Sequence, residues 1–168
     1  TRVIATTAGP YALYGTPVVE ACVRHETHYC DITGETPWVR DMIDAHHERA
    51  LASGTRIVPL CGFDSVPADL GTYALVRHAK EHLGAAPRRV KGWYRLRGGG
   101  LNGGTLASAL NLTMSGNARR LAKPFLLSPG YVASEAEMAE SQDPRQVIKD
   151  PHWGWCAPFF MGAVNTRA

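Results

Sequence analysis

Arg56-Ile57-Val58-Pro59-Leu60-Cys61-Gly62-Phe63-Asp64-Ser65-Val66-Pro67-Ala68-Asp69-Leu70-Gly71 is the stretch from which the fold is read. The apolar run from Ile57 to Leu60 stops at a glycine turn, and Pro67 opens a segment of helical character, so the order is strand, loop, helix. Cys61 then marks the C-terminal edge of a parallel strand. Ligands of open α/β sheets bind at that edge, where strand-to-helix loops converge and helix N-termini direct free N–H groups into the crevice. This loop is the first candidate for an active-site wall.

Two similar units precede it. Arg2-Val3-Ile4-Ala5-Thr6 is a short strand that stops at Ala8-Gly9-Pro10-Tyr11, and Thr16-Pro17 predicts the start of a helix running through Val18, Val19, Ala21, Cys22 and Val23. His28-Tyr29-Cys30-Asp31-Ile32 is a second strand, ending at Thr33-Gly34-Glu35. Thr36-Pro37 fits an N-cap and first helical position for a helix from Trp38 to about Ser53, which Gly54 terminates. The third helix, from Pro67 to His82, ends at Gly84 and Pro87. Three consecutive βα units predict an α/β fold with a parallel sheet and right-handed crossovers.

After Pro87 the pattern changes. Val90 to Arg97 alternates apolar and polar residues, which predicts an antiparallel strand with one wet face, and a second domain is expected from residue 87. A helix is expected from Thr105 to about Met114. The apolar segment Trp153 to Val164 lies close to the last residue with nothing after it to cover it, which reads as an incomplete domain.

Composition bounds the function. In 168 residues, 45% are apolar and 20% charged, which excludes a disordered chain, and 17 Gly with 11 Pro imply many turns. A net charge of +3 suits small anionic ligands such as nucleotides or carboxylates, and no basic block resembles a nucleic-acid footprint. Arg88, Arg89, Lys91, Arg95 and Arg97 alternate with apolar residues as on a solvated sheet face. Cys22, Cys30, Cys61 and Cys156 lack CxxC spacing, so neither a disulfide framework nor structural zinc is expected, and a reducing cytoplasm is the expected location. No apolar run approaches the roughly 20 residues needed to span a bilayer, which leaves room only for peripheral membrane contact.

Several motifs are decoys. Gly98, Gly100 and Gly103 form a literal GxGxxG, but the preceding segment alternates, and about 20 residues onward stand Arg119, Arg120 and Lys123 rather than an acidic ribose ligand. Those cations would suit a 2′-phosphate; a flexible or substrate-contacting glycine turn is the preferred reading. His25, His28, Cys30 and Asp31 invite a metal, yet a helix end and a strand start point the imidazoles apart, and Cys30 and Asp31 face opposite sides of a sheet, so no metal is expected. His46-His47-Glu48 reads as a solvated helix face. Ser65 lacks the GxSxG elbow of a nucleophile, so a capping role for Asp64 or Ser65 is expected at the next helix.

Together these residues form a resemblance. Thr6 to Cys22 (TTAGPYALYGTPVVEAC), His28 to Glu35 (HYCDITGE) and Cys61 to Gly71 (CGFDSVPADLG) resemble the saccharopine dehydrogenase-like oxidoreductases. Within that group the chain is most similar to the trans-acting enoyl reductases that serve polyketide synthases. Gly103-Gly104-Thr105 and the Ala157 to Arg167 stretch fit the same group. The resemblance implies that residues 1–86 are the C-terminal part of a Rossmann-like nucleotide-binding domain and residues 87–168 an incomplete α+β substrate or dimerisation domain. Family members open with a glycine-rich phosphate loop that has no counterpart here, so a fragment inactive by itself is expected.

The implied chemistry is hydride transfer from NADP, or NAD, in its reduced form to an α,β-unsaturated thioester, then protonation at the α-carbon. By motif, Thr7, Gly9, Pro10 and Tyr11 would border the nucleotide, and Asp31, Gly34 and Glu35 would lie at the next strand edge. Gly62, Phe63, Asp64 and Ser65 would flank nicotinamide and substrate, with Phe63 a stacking surface, Asp64 or Ser65 a polar clamp and Tyr11 the nominated proton donor. Implied partners are a small-molecule or carrier-bound lipid substrate, a polyketide synthase and a second copy in a homodimer. Two alternatives stay open: a non-catalytic lipid- or partner-binding role, and a saccharopine-type amino-acid dehydrogenase using Arg95, Arg97 or Arg119.

Overall fold

The structure is a computed structural model that describes residues 1–63, 65–95, 103–114, 116–141 and 145–167. Along the chain run β1 (Val3–Thr6), α1 (Tyr11–Arg24), β2 (His28–Asp31), α2 (Thr36–Ser53), β3 (Ile57–Val58) and α3 (Val66–Leu83). They are followed by α4 (Gly103–Met114), α5 (Ala118–Leu121), α6 (Glu135–Glu140), β4 (Ile148–Asp150), β5 (Gly154–Cys156) and α7 (Gly162–Asn165).

The three expected strands pair in parallel in the order β1-β2-β3, with Ile4 opposite Tyr29 and Tyr29 opposite Ile57. Residues opposite one another share a sheet face. That face is the buried one: Tyr29 packs with Tyr11, Val19, Cys22 and Val23 of α1 and with Trp38, Val39 and Ala50 of α2, and Ile4 and Ile57 lie against the same cluster. The other face carries Val3, Ala5, Cys30 and Val58, and Val3 is 53% exposed. Val164 of α7 joins the core cluster, so the end of the described chain packs with α1, α2 and the three-stranded sheet.

Glycine closes α2 and α3 as read from the sequence. Gly54 and Gly84 adopt φ of 71° and 72°, the left-handed conformation that only glycine enters without strain, and the Gly54 N–H bonds back to Ala50 and Leu51. Two helix starts differ from the reading. α1 begins at Tyr11, not at Thr16-Pro17, and runs through Pro17 despite the missing N–H and the ring's clash with the preceding turn. The reason is tertiary: its first N–H groups find a carboxylate 24 residues downstream, described below. Thr36 is the first residue of α2 rather than its cap, and its Oγ1 is buried with no partner among the described residues.

The strand expected from Val90 to Arg97 is absent over residues 90–95, and residues 96 and 97 lie outside the described set. Alternation predicts an edge but supplies no partner. β4 and β5 pair only with each other, antiparallel, and Trp93 and Tyr94 stack instead on Trp153 and Phe159, with ring centroids 6.4 and 4.1 Å apart. Of the GxGxxG motif, Gly98 and Gly100 lie outside the described residues and Gly103 opens α4.

α1 and α2 touch through Gly15. A Cβ there would lie 2.7 Å from Trp38 Cζ2 and 3.3 Å from Tyr11 Cβ, and Trp38 is fixed by donating from Nε1 to Thr16 Oγ1 at 3.0 Å. Gly15→Ala therefore gains up to about 1 kcal/mol of helix propensity and loses about 1–3 kcal/mol to overpacking. Urea unfolding is expected to show net destabilisation, and adding Trp38→Leu should recover part of it.

Candidate active site

The C-terminal edge of the sheet is organised by two buried carboxylates. Glu35, in the turn between β2 and α2, accepts from the backbone N–H of Tyr11 at 2.9 Å and of Ala12 at 3.0 Å, and from Ser108 Oγ of α4 at 2.9 Å. The next two N–H groups of α1, those of Leu13 and Tyr14, bond to Pro10 O at 3.2 Å each. The N-cap, Pro10, has no N–H, and the Tyr14 bond is the first regular helical one, so the three donors left open at this helix start, those of Tyr11, Ala12 and Leu13, are all satisfied within the chain. Thr33 Oγ1 fixes the turn by accepting from the Glu35 N–H at 3.0 Å. The α1 N-terminus therefore offers no free donor to a phosphate, and Glu35 sets a carboxylate where an anion would sit.

Asp31, 2% exposed at the end of β2, accepts at Oδ1 from the N–H of Thr33 (3.0 Å) and of Leu60 (3.1 Å), and at Oδ2 from Tyr29 OH (2.7 Å). Its carbonyl accepts from Cys61 N–H at 2.8 Å, extending the β2 and β3 contact past the last paired residues. Leu60 sits at φ 64°, the left-handed region that costs a bulky side chain energy, and burial plus the Asp31 bond hold it there. Burial pushes the Asp31 carboxyl up from its ordinary value and nearby Glu35 adds to this, against the downward pull of the Thr33, Tyr29 and Leu60 donors. The Tyr29 phenol is pushed up by burial and by its bond to Asp31.

Tyr11 is bonded through its N–H to Glu35, and its phenol feels both carboxylates. Its ring packs on Trp38 at 5.8 Å, and its hydroxyl donates to Thr6 O at 3.1 Å. Burial raises its pKa; the Ile32 backbone N–H opposes that rise, and the charges of Asp31 and Glu35 reinforce it, so the phenol stays protonated. Gly9, joined to Pro10 by a cis peptide bond, leaves room for this ring: a Cβ would meet Tyr11 at 3.3 Å and Ser108 Oγ at 3.7 Å. Thr7 is exposed, and Pro10 is buried.

The third edge supplies the surface. The Gly62 carbonyl accepts from Ser65 N–H (3.1 Å) and Val66 N–H (2.9 Å), a tight turn that leaves the Phe63 ring 90% exposed. Ser65 occupies the N-cap position of α3, as expected, but makes no side-chain capping bond; its Oγ is buried without a partner among the described residues. The reason is its helical backbone (φ −115°, ψ −50°), where a capping residue needs an extended one. Asp64 lies outside the described residues.

Tyr11 and Asp31 are thus tied to Glu35: the Tyr11 N–H bonds to it directly, and Thr33 bridges the two carboxylate residues by donating its N–H to Asp31 and accepting from the Glu35 N–H, while the Gly34 carbonyl accepts from Thr36 N–H at 3.1 Å. Phe63 and Ser65 stand on the neighbouring loop. Sequence reasoning missed Ser108 and Tyr29. The Ser108 contact spans 73 residues and has no local signal, whereas Tyr29 two residues before Asp31 on a strand is the spacing that places both on one face. Among the described residues no group of three or more His, Cys, Asp or Glu could hold a metal ion.

Three parallel strands and their connecting helices define a partial Rossmann-like α/β fold. The chain is 39% identical, over 99% of its residues, to a Mycobacterium tuberculosis protein provisionally named a trans-acting enoyl reductase, and 38% identical over 99% of its residues to the trans-acting enoyl reductase of Mycobacterium ulcerans. A third relative, the trans-acting enoyl reductase of Mycobacterium leprae, is 52% identical over 80 residues, 48% of the chain. The chain spans 42% of the length of the first two relatives. No protein-family model matches it, and no solved structure matches it significantly.

Glu35→Ala strands two backbone donors and is expected to cost about 2–3 kcal/mol in urea unfolding, with Ser108→Ala costing about 1 kcal/mol because only one partner is lost. For Asp31 the folded-state value lies above the unfolded one, so the folded chain keeps the proton to higher pH. Its contribution to stability is complete below the ordinary aspartate range and falls as pH rises through the raised value. Denaturation midpoints stepped through that window are expected to decline in the native protein, and Asp31→Asn should remove that component of the decline.

Proposed function

We propose that this chain forms the nicotinamide and substrate wall of an NAD(P)H-dependent enoyl reductase of the saccharopine dehydrogenase-like kind. The observation that carries the reading is the strand edge itself: an exposed aromatic ring and a partnerless buried hydroxyl stand beside a carboxylate-filled helix start, in a chain similar along its length to proteins named trans-acting enoyl reductases. These residues fit the nicotinamide end of a dinucleotide. They do not fit its pyrophosphate at α1, whose donors are taken.

A bound reduced nicotinamide supplies hydride to the β-carbon of an α,β-unsaturated thioester. Phe63 offers a ring face against which a planar group stacks, and water is excluded over the area it covers. Ser65 Oγ, lacking any internal partner among the described residues, is the group free to bond a carboxamide or thioester oxygen once the loop admits one. Tyr11, held protonated and donating to Thr6 O at the end of β1, is the proton donor we nominate. Because the relatives act in trans by name, the substrate we propose is an acyl chain carried by a separate enzyme, a polyketide synthase, with a homodimer as the working assembly.

The second reading, lipid or partner binding without chemistry, draws on one observation: Tyr11 and Glu35 are committed to internal bonds. One assay separates them. This chain joined to the N-terminal nucleotide-binding half of a full-length relative, because the chain by itself is expected to be inactive, is incubated with deuterium-labelled NADPH or NADH and a short α,β-unsaturated acyl thioester, and the product is read by mass spectrometry. Deuterium at the β-carbon of a saturated thioester is expected, with Phe63→Ala lowering the rate about tenfold, the factor one lost stacking contact of about 1–1.5 kcal/mol gives. No labelled product and no nicotinamide binding by fluorescence titration would overturn the enzyme reading.

A further inference from the structure

We propose that the open cleft between α2, α5 and the loop leading to α6 binds a single-chain carboxylate, with Lys123 as the anchor of its head group. This cleft, of about 570 Å³, is lined by the charged side chains of Arg40, Asp44, Arg120 and Lys123 and by Phe125, Tyr131, Val132 and Met138. Its volume falls within the range of small-molecule sites. It is separate from the strand edge and does not depend on the reading above.

The charges select the ligand. Arg40 is held by Asp44 at 2.9 Å and also donates to Leu126 O at 3.1 Å, while Arg120 is held by Asp41 at 2.6 Å. Both guanidiniums are therefore neutralised by carboxylates. The Lys123 ammonium has no carboxylate partner among the described residues, which leaves one uncompensated positive charge in the lining of the cleft. A monoanion matches that charge; a dianion would exceed it.

The wall selects the tail. Val132 is 91% exposed, and the Phe125 and Tyr131 rings meet at 5.1 Å to form an aromatic floor beside it. An apolar side chain so exposed contributes nothing to folding, and an alkyl chain laid along it removes that surface from water at about 25 cal/mol per Å².

The cleft is built before any ligand arrives. Phe125 sits at φ 56°, a strained left-handed conformation, and is kept there by its neighbours: Arg40 on Leu126 O, Arg167 on Ala122 O at 3.0 Å and on Lys123 O at 3.2 Å, and Ser128 N–H on Phe125 O at 3.1 Å. Tyr131 OH donates to Glu137 Oε1 at 2.6 Å, and Glu137 closes a capping box with Ser134 at the start of α6. Binding therefore orders little that is not already ordered.

The test titrates decanoate, decyl phosphate, decanol and acetate into ¹⁵N-labelled protein below their micellar concentrations, following amide shifts. Decanoate is expected to bind most tightly and to move the amides of Lys123 and of residues 128–133. Lys123→Met, which keeps the stem and removes the charge, should weaken decanoate about tenfold, the worth of one charge-assisted hydrogen bond, and leave decanol unchanged. Val132→Asp should weaken both; each position is exposed, and circular dichroism checks that the fold is kept. No binding of decanoate, equal binding of acetate, tighter binding of decyl phosphate, or indifference to Lys123→Met would each overturn the proposal.

Discussion

The Glu35 carboxylate joins three parts of the chain that are remote in sequence: the first turn of α1, the turn into α2 and the middle of α4. Removing such a group from water costs several kcal/mol, and three hydrogen bonds to a charged acceptor return about as much, so its net contribution to stability is small. Its effect is positional. With Glu35 in place, α1 starts at Tyr11, which sets that ring under Gly9 and against Trp38; this in turn requires Gly15 where the two helices touch. Much of the packing between α1, α2 and the sheet edge follows from that one acceptor.

Asp31 does the same for β3. That strand has only two residues in ladder pairing, too few to fix its own end, and the bonds from Leu60 N–H and Cys61 N–H to Asp31 continue the attachment through side chain and carbonyl. A neutral acceptor would serve the backbone donors less well, and a fully solvated one could not hold Leu60 in a strained conformation. The raised Asp31 and Tyr29 values are the electrostatic record of this arrangement: burial disfavours charge, and the bonds allow the group to stay.

What the sequence made legible was local. Short β-branched runs ending at turn residues located all three parallel strands, and Gly54 and Gly84 located helix ends, because period and positive φ are properties of neighbouring residues. The start of α1 was misplaced because its cap comes from Glu35, and Thr16-Pro17 carries the stronger local signal for the wrong position. Val90 to Arg97 alternates like a strand, but pairing needs an available edge, and over residues 90–95 ring stacking replaces it. Ser65 was placed correctly at a helix start, yet its backbone angle denies it the capping bond. Ser108 was invisible, since nothing about a serine in a mid-helix position announces a partner 73 residues away.

These two carboxylates also decide how a ligand can lie on the edge. Phosphate binding at strand-to-helix turns relies on open N–H groups and a favourable helix dipole. At α1 the donors are used, and Asp31 and Glu35 place acidic groups beside the β1 and β2 ends, so the local field opposes a pyrophosphate there. The β3 loop has a different character: the Phe63 ring is exposed, and the Ser65 hydroxyl is buried with no internal partner among the described residues. Neutral planar groups and acyl chains are stabilised by such a surface, whereas charged ones gain little from it. On the function proposed above, the asymmetry between adjacent strand ends would direct the uncharged end of a ligand toward Phe63.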